Sequence, residues 1–174
     1  MMRVLLVDLG TPRDEISEPL GIETLASYVE DEFSDQIMLN LKSLELDNLK
    51  SIEPYLVENY QVIGLSTKIR TYDRLKDSME AIYRYSPDSI IVVGDILGTY
   101  AYDEVLKKYP MVICVRGEGE NNFVELLRRE LSPNNLSLTD IPESVEKPPK
   151  MSFRALARNP TRSVALSGAK GLIV

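Results

Sequence analysis

Histidine is missing from this 174-residue sequence, and cysteine occurs only once. Without histidine, the chain's own residues form no Ser-His-Asp triad, no Cys-His pair and no histidine-ligated metal site. The single cysteine, Cys114, has no partner for an internal disulfide. Its position in the apolar segment 111–115 predicts a buried thiol that does no chemistry.

Long apolar runs are missing as well. No segment approaches the ~18 consecutive apolar residues that a membrane-spanning helix requires. The N-terminal segment 3–7 is too short for the apolar core of a signal peptide, and Asp8 follows it directly. We therefore expect a cytoplasmic protein without a membrane partner.

Positively charged residues are in the minority among the charged residues. There are 20 Lys and Arg residues against 27 Asp and Glu residues, which gives a formal net charge of -7. Such a chain lacks the basic surface that binds a phosphate backbone, so we expect no nucleic-acid partner. Hydrophobic residues make up 44% of the sequence, which is enough for one core in a chain of this length.

The sequence alternates short β-branched segments with longer segments of helical period. This pattern predicts a doubly wound α/β fold, with a five-stranded parallel sheet and helices on both of its faces. The predicted strands span residues 4–8, 37–41, 62–66, 90–94 and 112–116. The predicted helices span residues 20–33, 46–59, 72–85, 102–109 and 122–131, and Pro54 interrupts the second of them.

Residues 136–174 differ in character from the rest of the chain. Pro142, Pro148 and Pro149 lie there in polar surroundings, which predicts an extended linker. We therefore expect the compact domain to span residues 1–135. Segment 162–167 has the pattern of one more strand close to the end of the sequence.

Four loops that follow predicted strands carry candidate binding residues. Ligands of doubly wound sheets bind outside the carboxyl ends of the strands, near the point where the strand order reverses. Glycines there let a ligand approach the backbone, hydroxyls and carboxylates form hydrogen bonds, and cations face acidic groups. The candidates are Gly10 and Thr11, then Ser66, Thr67, Lys68 and Arg70, then Gly94, Asp95 and Gly98, and finally Gly117, Glu118 and Gly119.

Each of these loops also has a purely structural interpretation. Gly10 suits an ordinary turn, and Ser66 suits the cap of the following helix. Asp95 suits a turn cap, and Glu118 is favourable at the start of a helix because of the helix dipole. The residues alone leave both interpretations open.

Two phosphate-binding patterns are absent. Neither G-x-G-x-x-G nor G-x-x-x-x-G-K-[ST] occurs, which disfavours a nicotinamide site and a P-loop. Segment 4–8 is similar to the first strand of a phosphoacceptor receiver domain. However, Leu9 and Gly10 stand where a receiver has the acidic residues that hold magnesium, so we reject that interpretation.

Four segments follow one another in an order typical of a single protein family. They are PLGIETLASY at 19–28, VIGLS at 62–66, IVVG at 91–94 and RGEGENNFVELL at 116–127, with DEVL at 103–106 at the expected spacing. Together they resemble the N-terminal cobalamin-binding domain of cobalamin-dependent radical SAM proteins. The resemblance covers about residues 3–131 and is most specific at 116–127.

The resemblance implies a flavodoxin-like domain that binds cobalamin. The corrin would rest on the strand-end loops, and the nucleotide tail would pass between the sheet and the helices. It implies cofactor contacts at Ser66, Thr67, Gly94, Gly98, Gly117 and Glu118.

The chain departs from the family pattern in three ways. It has no histidine to offer to cobalt, and Asp95 stands where relatives commonly have a second glycine. No cysteine follows segment 163–167, which resembles the first strand of a radical SAM barrel. We therefore expect an iron-sulfur cluster and S-adenosylmethionine only with a following domain or a partner polypeptide.

The main hypothesis is a cobalamin-binding module that supports methyl transfer in such an enzyme without a histidine ligand to cobalt. The alternative is a non-catalytic interaction domain that kept the fold and lost the cofactor.

Overall fold

One sheet of parallel strands organises the chain. The structure, a computed structural model, describes residues 1–10 and 19–132, together with the backbone of 164–167. The strands are β1 (Met2–Asp8), β2 (Ile37–Ser43), β3 (Val62–Thr67), β4 (Ile90–Gly94), β5 (Ile113–Arg116) and β6 (Val164–Ser167). Their order across the sheet is β2-β1-β3-β4-β5-β6.

The strand order reverses between β1 and β3, because the chain first steps outward from β1 to β2 and then returns to the other side of β1. Every pairing is parallel. This is the flavodoxin-like arrangement, and it confirms the predicted doubly wound fold. The strand predicted near the end of the sequence is also present as β6, which pairs with β5. The rest of the segment 136–174, with the predicted linker, lies outside the described residues.

Helices cover both faces of the sheet and bury a separate apolar cluster on each. The helices are α1 (Leu20–Phe33), α2 (Tyr72–Tyr85), α3 (Asp95–Tyr100), α4 (Tyr102–Lys108) and α5 (Glu120–Leu131). One cluster packs α1 and α5 against Leu6 and Val92, and the other packs α2 and α4 against Val7 and Val93. Neighbouring residues of one strand therefore belong to different cores.

The predicted helix at 46–59 is wrong. This part of the chain has a single 3₁₀ turn, Glu53–Tyr55, with proline in its first positions. Proline lacks the N–H that an α-helix interior needs. The Tyr55 hydroxyl donates to the Asp47 carboxylate at 2.5 Å and lies 3.1 Å from the Ser43 carbonyl oxygen, and these contacts hold the segment as a loop. Helix α3, which the sequence pattern did not predict, begins at the end of β4.

Within residues 1–10 and 19–132, no helix combines the length and the apolar character needed to cross a membrane.

Gly98 lies in close contact with the backbone of the sheet. A Cβ atom at this position would lie 2.5 Å from the Val93 carbonyl oxygen and 2.9 Å from the Val115 carbonyl oxygen. Both oxygens belong to backbone that cannot move without disturbing β4 or β5. We expect Gly98→Ala to lower the free energy of unfolding by about 1–3 kcal/mol, measured by urea denaturation.

Gly21→Ala is the matched control, because a Cβ atom at Gly21 would meet nothing within 4 Å. Alanine favours the helix, so this variant should be as stable as the parent protein or up to about 1 kcal/mol more stable. Equal stabilities for the two variants would contradict the proposed close packing at Gly98.

Cys114 is fully buried on β5. Burial raises the pKa of its thiol to about 12, and the nearby negative charge of Asp103 adds to the effect. Since the thiolate is the reactive form, the native protein should be inert to a thiol reagent at pH 8. In denaturant the thiol should react at once. Rapid reaction of the native protein would show that Cys114 is accessible.

Candidate functional site

Two rows of residues cross the sheet just before its strands end, at the point where the strand order reverses. The inner row pairs Leu6 with Gly64 and Gly64 with Val92, whereas the outer row pairs Asp8 with Ser66 and Ser66 with Gly94. Residues two apart on a strand face the same side of the sheet. Both rows therefore face α1 and α5, with the apolar row about 7 Å deeper than the polar row.

A cavity of about 360 Å³ lies over these rows, between the sheet and the first turns of α1 and α5. Its inner part, which we call the apolar floor, consists of Leu6, Ile22, Gly64, Val92, Val115 and Phe123. Its outer part, which we call the polar mouth, carries Asp8, Ser66, Lys68, Asp95, Glu118 and Glu120. A ligand that fills this cavity needs an apolar end inside and a polar body outside.

Gly64 is the point in the apolar floor where Leu6 and Phe123 pack directly on the backbone of the sheet. A Cβ atom there would lie 2.6 Å from Leu6 Cδ2 and 3.5 Å from Phe123 Cε2. Any larger residue would therefore push Leu6 and Phe123 away from the sheet and into the cavity. The backbone of Gly64 lies in the middle of the sheet and pairs with both β1 and β4.

The structure brings most of the predicted binding residues to this cavity. Those that line it are Ser66, Lys68, Gly94, Asp95, Gly117, Glu118 and Gly119. They come from three different loops, which meet because the carboxyl ends of parallel strands share one edge of the sheet.

The other predicted residues lie elsewhere. Thr67 is buried, and its hydroxyl donates to the Gly94 carbonyl at 2.7 Å. Arg70 is exposed in the 3₁₀ turn Ile69–Thr71 and does not line the cavity, and Gly98 packs against backbone as described above. Thr11 lies outside the described residues.

Gly10 also lies outside the cavity lining, and it has a structural role. Its φ of +62° is in the left-handed region that favours glycine. A Cβ atom there would lie 2.8 Å from Glu45 Cβ. Arg74 crosses from α2 and donates to the neighbouring Leu9 carbonyl at 2.6 Å, which fixes the end of β1.

Asp95 is held at the mouth by the ends of two strands. Its φ of +63° is unusual for a residue other than glycine. Ser66 Oγ donates to Asp95 Oδ2 at 3.1 Å, and a β-bridge joins Asp95 to Thr67. These contacts compensate for the strained backbone and keep a carboxylate at the cavity edge.

The mouth is acidic, since Asp8, Asp95, Glu118 and Glu120 share it with Lys68. Asp8 is buried, and Ser43 Oγ donates to its carboxylate at 3.3 Å. This charge disfavours strongly anionic ligands such as nucleoside triphosphates. Among the described residues, no group of three His, Cys, Asp or Glu side chains is arranged to hold a metal ion.

Sequence reasoning did not identify the apolar floor. Leu6, Val92 and Val115 have the same character as any other residue of a buried parallel strand. One signal was present in Gly64, because an isolated glycine inside a strand often marks the close approach of a ligand or another backbone.

The model of one protein family, the B12 binding domain, matches residues 7–127. The chain belongs to this family. The match includes every described strand from the end of β1 to β5, and it includes both sides of the cavity. The resemblance inferred from segments 19–28, 62–66, 91–94 and 116–127 is thereby confirmed.

One similar protein is the anaerobic magnesium-protoporphyrin IX monomethyl ester cyclase of Rubrivivax gelatinosus. It is 25% identical over 111 residues, which are 63% of this chain and 20% of the relative. The chain thus spans about a fifth of that protein's length.

Two solved structures share the fold. The cobalamin-dependent S-adenosylmethionine radical enzyme OxsB with aqua-cobalamin bound matches 75% of this chain and 19% of its own, with a TM-score of 0.59 and 24% identity. The radical S-adenosylmethionine methyltransferase TsrM from Kitasatospora setae, with cobalamin and a [4Fe-4S] cluster bound, matches 79% of this chain and 26% of its own. Its TM-score is 0.62 and its identity is 18%.

The strained backbone at Asp95 can be tested with two substitutions that both remove the carboxylate. Glycine adopts a φ of +63° freely, whereas alanine does not. We expect Asp95→Gly to be more stable than Asp95→Ala by about 1 kcal/mol in urea denaturation.

The control is the same pair of substitutions at Asp77, which is exposed inside α2. There the order should reverse, because alanine is favoured over glycine in a helix by about 1 kcal/mol. The same order at both positions would argue against strain at Asp95.

Proposed function

We propose that this chain binds cobalamin in the cavity at the carboxyl edge of its sheet and serves as the cobalamin-binding part of a radical SAM enzyme that transfers methyl groups. The observation that carries the proposal is the cavity itself, whose inner part is an apolar slot bounded by the apolar floor and lies below the polar mouth. Cobalamin has the matching shape, because its nucleotide tail projects from a broad corrin ring whose edge carries carboxamides.

The mouth is suited to a flat ring. A Cβ atom at Gly94 would meet nothing within 4 Å, and one at Gly119 would meet only Val115 Cγ1 at 3.7 Å. A ring can therefore approach the backbone at both positions. Ser66 and Asp95 would accept hydrogen bonds from the corrin carboxamides, and Glu118 offers another acceptor.

The slot is suited to the nucleotide tail. The tail would enter from the polar mouth and lie against the apolar floor. Lys68 is the cation that lines the mouth within the described part of the chain, and it would face the phosphodiester of the tail.

When bound, cobalamin supplies cobalt-centred methyl-transfer chemistry. The chain has no histidine to place below the metal. The protein side of the corrin would therefore meet water or residues of the segment 66–70. These residues would set how exposed the lower face of the ring is to solvent.

The remaining chemistry would come from elsewhere. The sequence has no three-cysteine motif, so an iron-sulfur cluster and S-adenosylmethionine would have to be held by a following domain or a partner polypeptide. The large share of each relative that lies beyond the match agrees with this arrangement. We propose residues 1–135 as the cobalamin-binding domain and 136–174 as the connection toward a radical SAM barrel. Because a reduced cluster needs a reducing compartment, we also propose a cytoplasmic location.

Asp95 supports a second candidate, an interaction domain that lost the cofactor. Its carboxylate occupies a place at the mouth where a glycine would leave the backbone open. In that case the cavity would not bind a corrinoid at all.

The test is to incubate the full chain with hydroxocobalamin, remove the free cofactor by desalting and record the visible spectrum. We expect bound cobalamin at close to one equivalent. Gly64→Val should reduce binding at least about tenfold, because its side chain would displace Leu6 and Phe123 into the cavity.

Cobinamide, which has the ring but no nucleotide, provides the matched control. Its weaker binding should be unchanged in Gly64→Val, since only the tail would pass Gly64. A thermal melt shows whether the variant is folded. A colourless parent protein after desalting would favour the interaction domain over the cobalamin carrier.

A further inference from the structure

The chemical character of the apolar floor determines which corrinoids the cavity can hold. Natural corrinoids share the ring and differ in the base at the end of the nucleotide tail. Some carry dimethylbenzimidazole, which has no exocyclic polar group, and others carry adenine, which has an amine and additional ring nitrogens. A site that encloses the base can therefore distinguish them by its hydrogen-bonding groups.

The side chains of the apolar floor offer no hydrogen-bonding atom. Leu6, Ile22, Val92, Val115 and Phe123 are pure hydrocarbon, and each has 5% or less of its surface exposed. All five belong to the core cluster that packs α1 and α5 on the sheet.

The backbone at the floor has few hydrogen-bonding groups free for a ligand. Gly64 lines the cavity, but its strand is paired on both sides, with β1 through Leu6 and with β4 through Val92. Its N–H and C=O groups are therefore committed to the sheet. The polar side chains of the mouth begin one pleat further out, at Asp8 and Ser66, about 7 Å along the strands.

We infer that the apolar floor makes this chain selective for corrinoids with a benzimidazole base over corrinoids with a purine base, an inference that rests on the proposed cobalamin binding. Adenine in the slot would lose water from its amine and ring nitrogens without finding partners. A buried polar group without a hydrogen bond is costly, and one such group is enough for about a tenfold loss of affinity. Dimethylbenzimidazole would bring methyl groups to the apolar floor in place of the amine.

The test compares three probes on the full chain by spectroscopic titration: hydroxocobalamin, its analogue with adenine as the base, and cobinamide. We expect hydroxocobalamin to bind at least about tenfold more tightly than the adenine analogue. Cobinamide should bind more weakly than hydroxocobalamin.

The other outcomes separate the two proposals. Equal affinities for the two complete corrinoids, both above that of cobinamide, would overturn the selectivity while the proposed function stands. Equal affinities for all three would show that the tail is not held in the slot, which also overturns the selectivity. No binding of any probe would overturn both proposals.

Val92→Thr and Val93→Thr form a matched pair of variants. Both replace a buried valine of β4 with a residue of the same shape, but Val92 lies on the apolar floor and Val93 lies in the opposite core. Val92→Thr brings a hydroxyl to the slot and should reduce the preference for benzimidazole severalfold. Val93→Thr should leave the preference unchanged. An equal change in both variants would assign the effect to lost stability and overturn the role of the floor.

Discussion

The register between β1, β3 and β4 is the constraint on which the whole site depends. It places Leu6, Gly64 and Val92 in one row and Asp8, Ser66 and Gly94 in the next. A shift of one strand by a single residue would turn its part of both rows toward the opposite helices. Such a shift is costly because both faces of the sheet are buried, so two separate cores specify the same register.

Hydrogen bonds stabilise the ends of these strands and leave the cavity open. The Thr67 hydroxyl ties β3 to the Gly94 carbonyl, and Ser66 ties it to Asp95. Arg74 fixes the end of β1 from the other side of the sheet. These contacts hold the mouth together without a side chain at Gly94, where a Cβ atom would meet nothing within 4 Å.

The fold could be predicted from the sequence because β-branched segments alternate with segments of helical period along the chain. This alternation is a local pattern, and each such β-branched segment became a strand of the parallel sheet. The polar mouth could be predicted because its residues follow strands, and strand ends meet at one edge. The sequence could not distinguish Gly98, which is required by nearby carbonyl groups, from Gly94, which faces open space. Nor could it separate an apolar residue that packs on protein from one that faces a cavity, as Val92 does.

The segment at 46–59 shows a different limit. Its apolar spacing resembles a helix, but the Tyr55 hydroxyl finds Asp47 and the Ser43 carbonyl only when the chain bends into a loop. Side-chain contacts of this kind compete with local helical preference, and the sequence pattern does not contain them.

The apolar floor is at once the inner wall of a cavity and part of the packing that holds α1 and α5 on the sheet. A molecule enclosed there would act as an additional piece of the hydrophobic core. Folding and cofactor supply would then be linked by mass action, with a gain of about 2.7 kcal/mol when the free ligand is at a hundred times its dissociation constant. In a cell, the lifetime of such a protein would follow the availability of its cofactor.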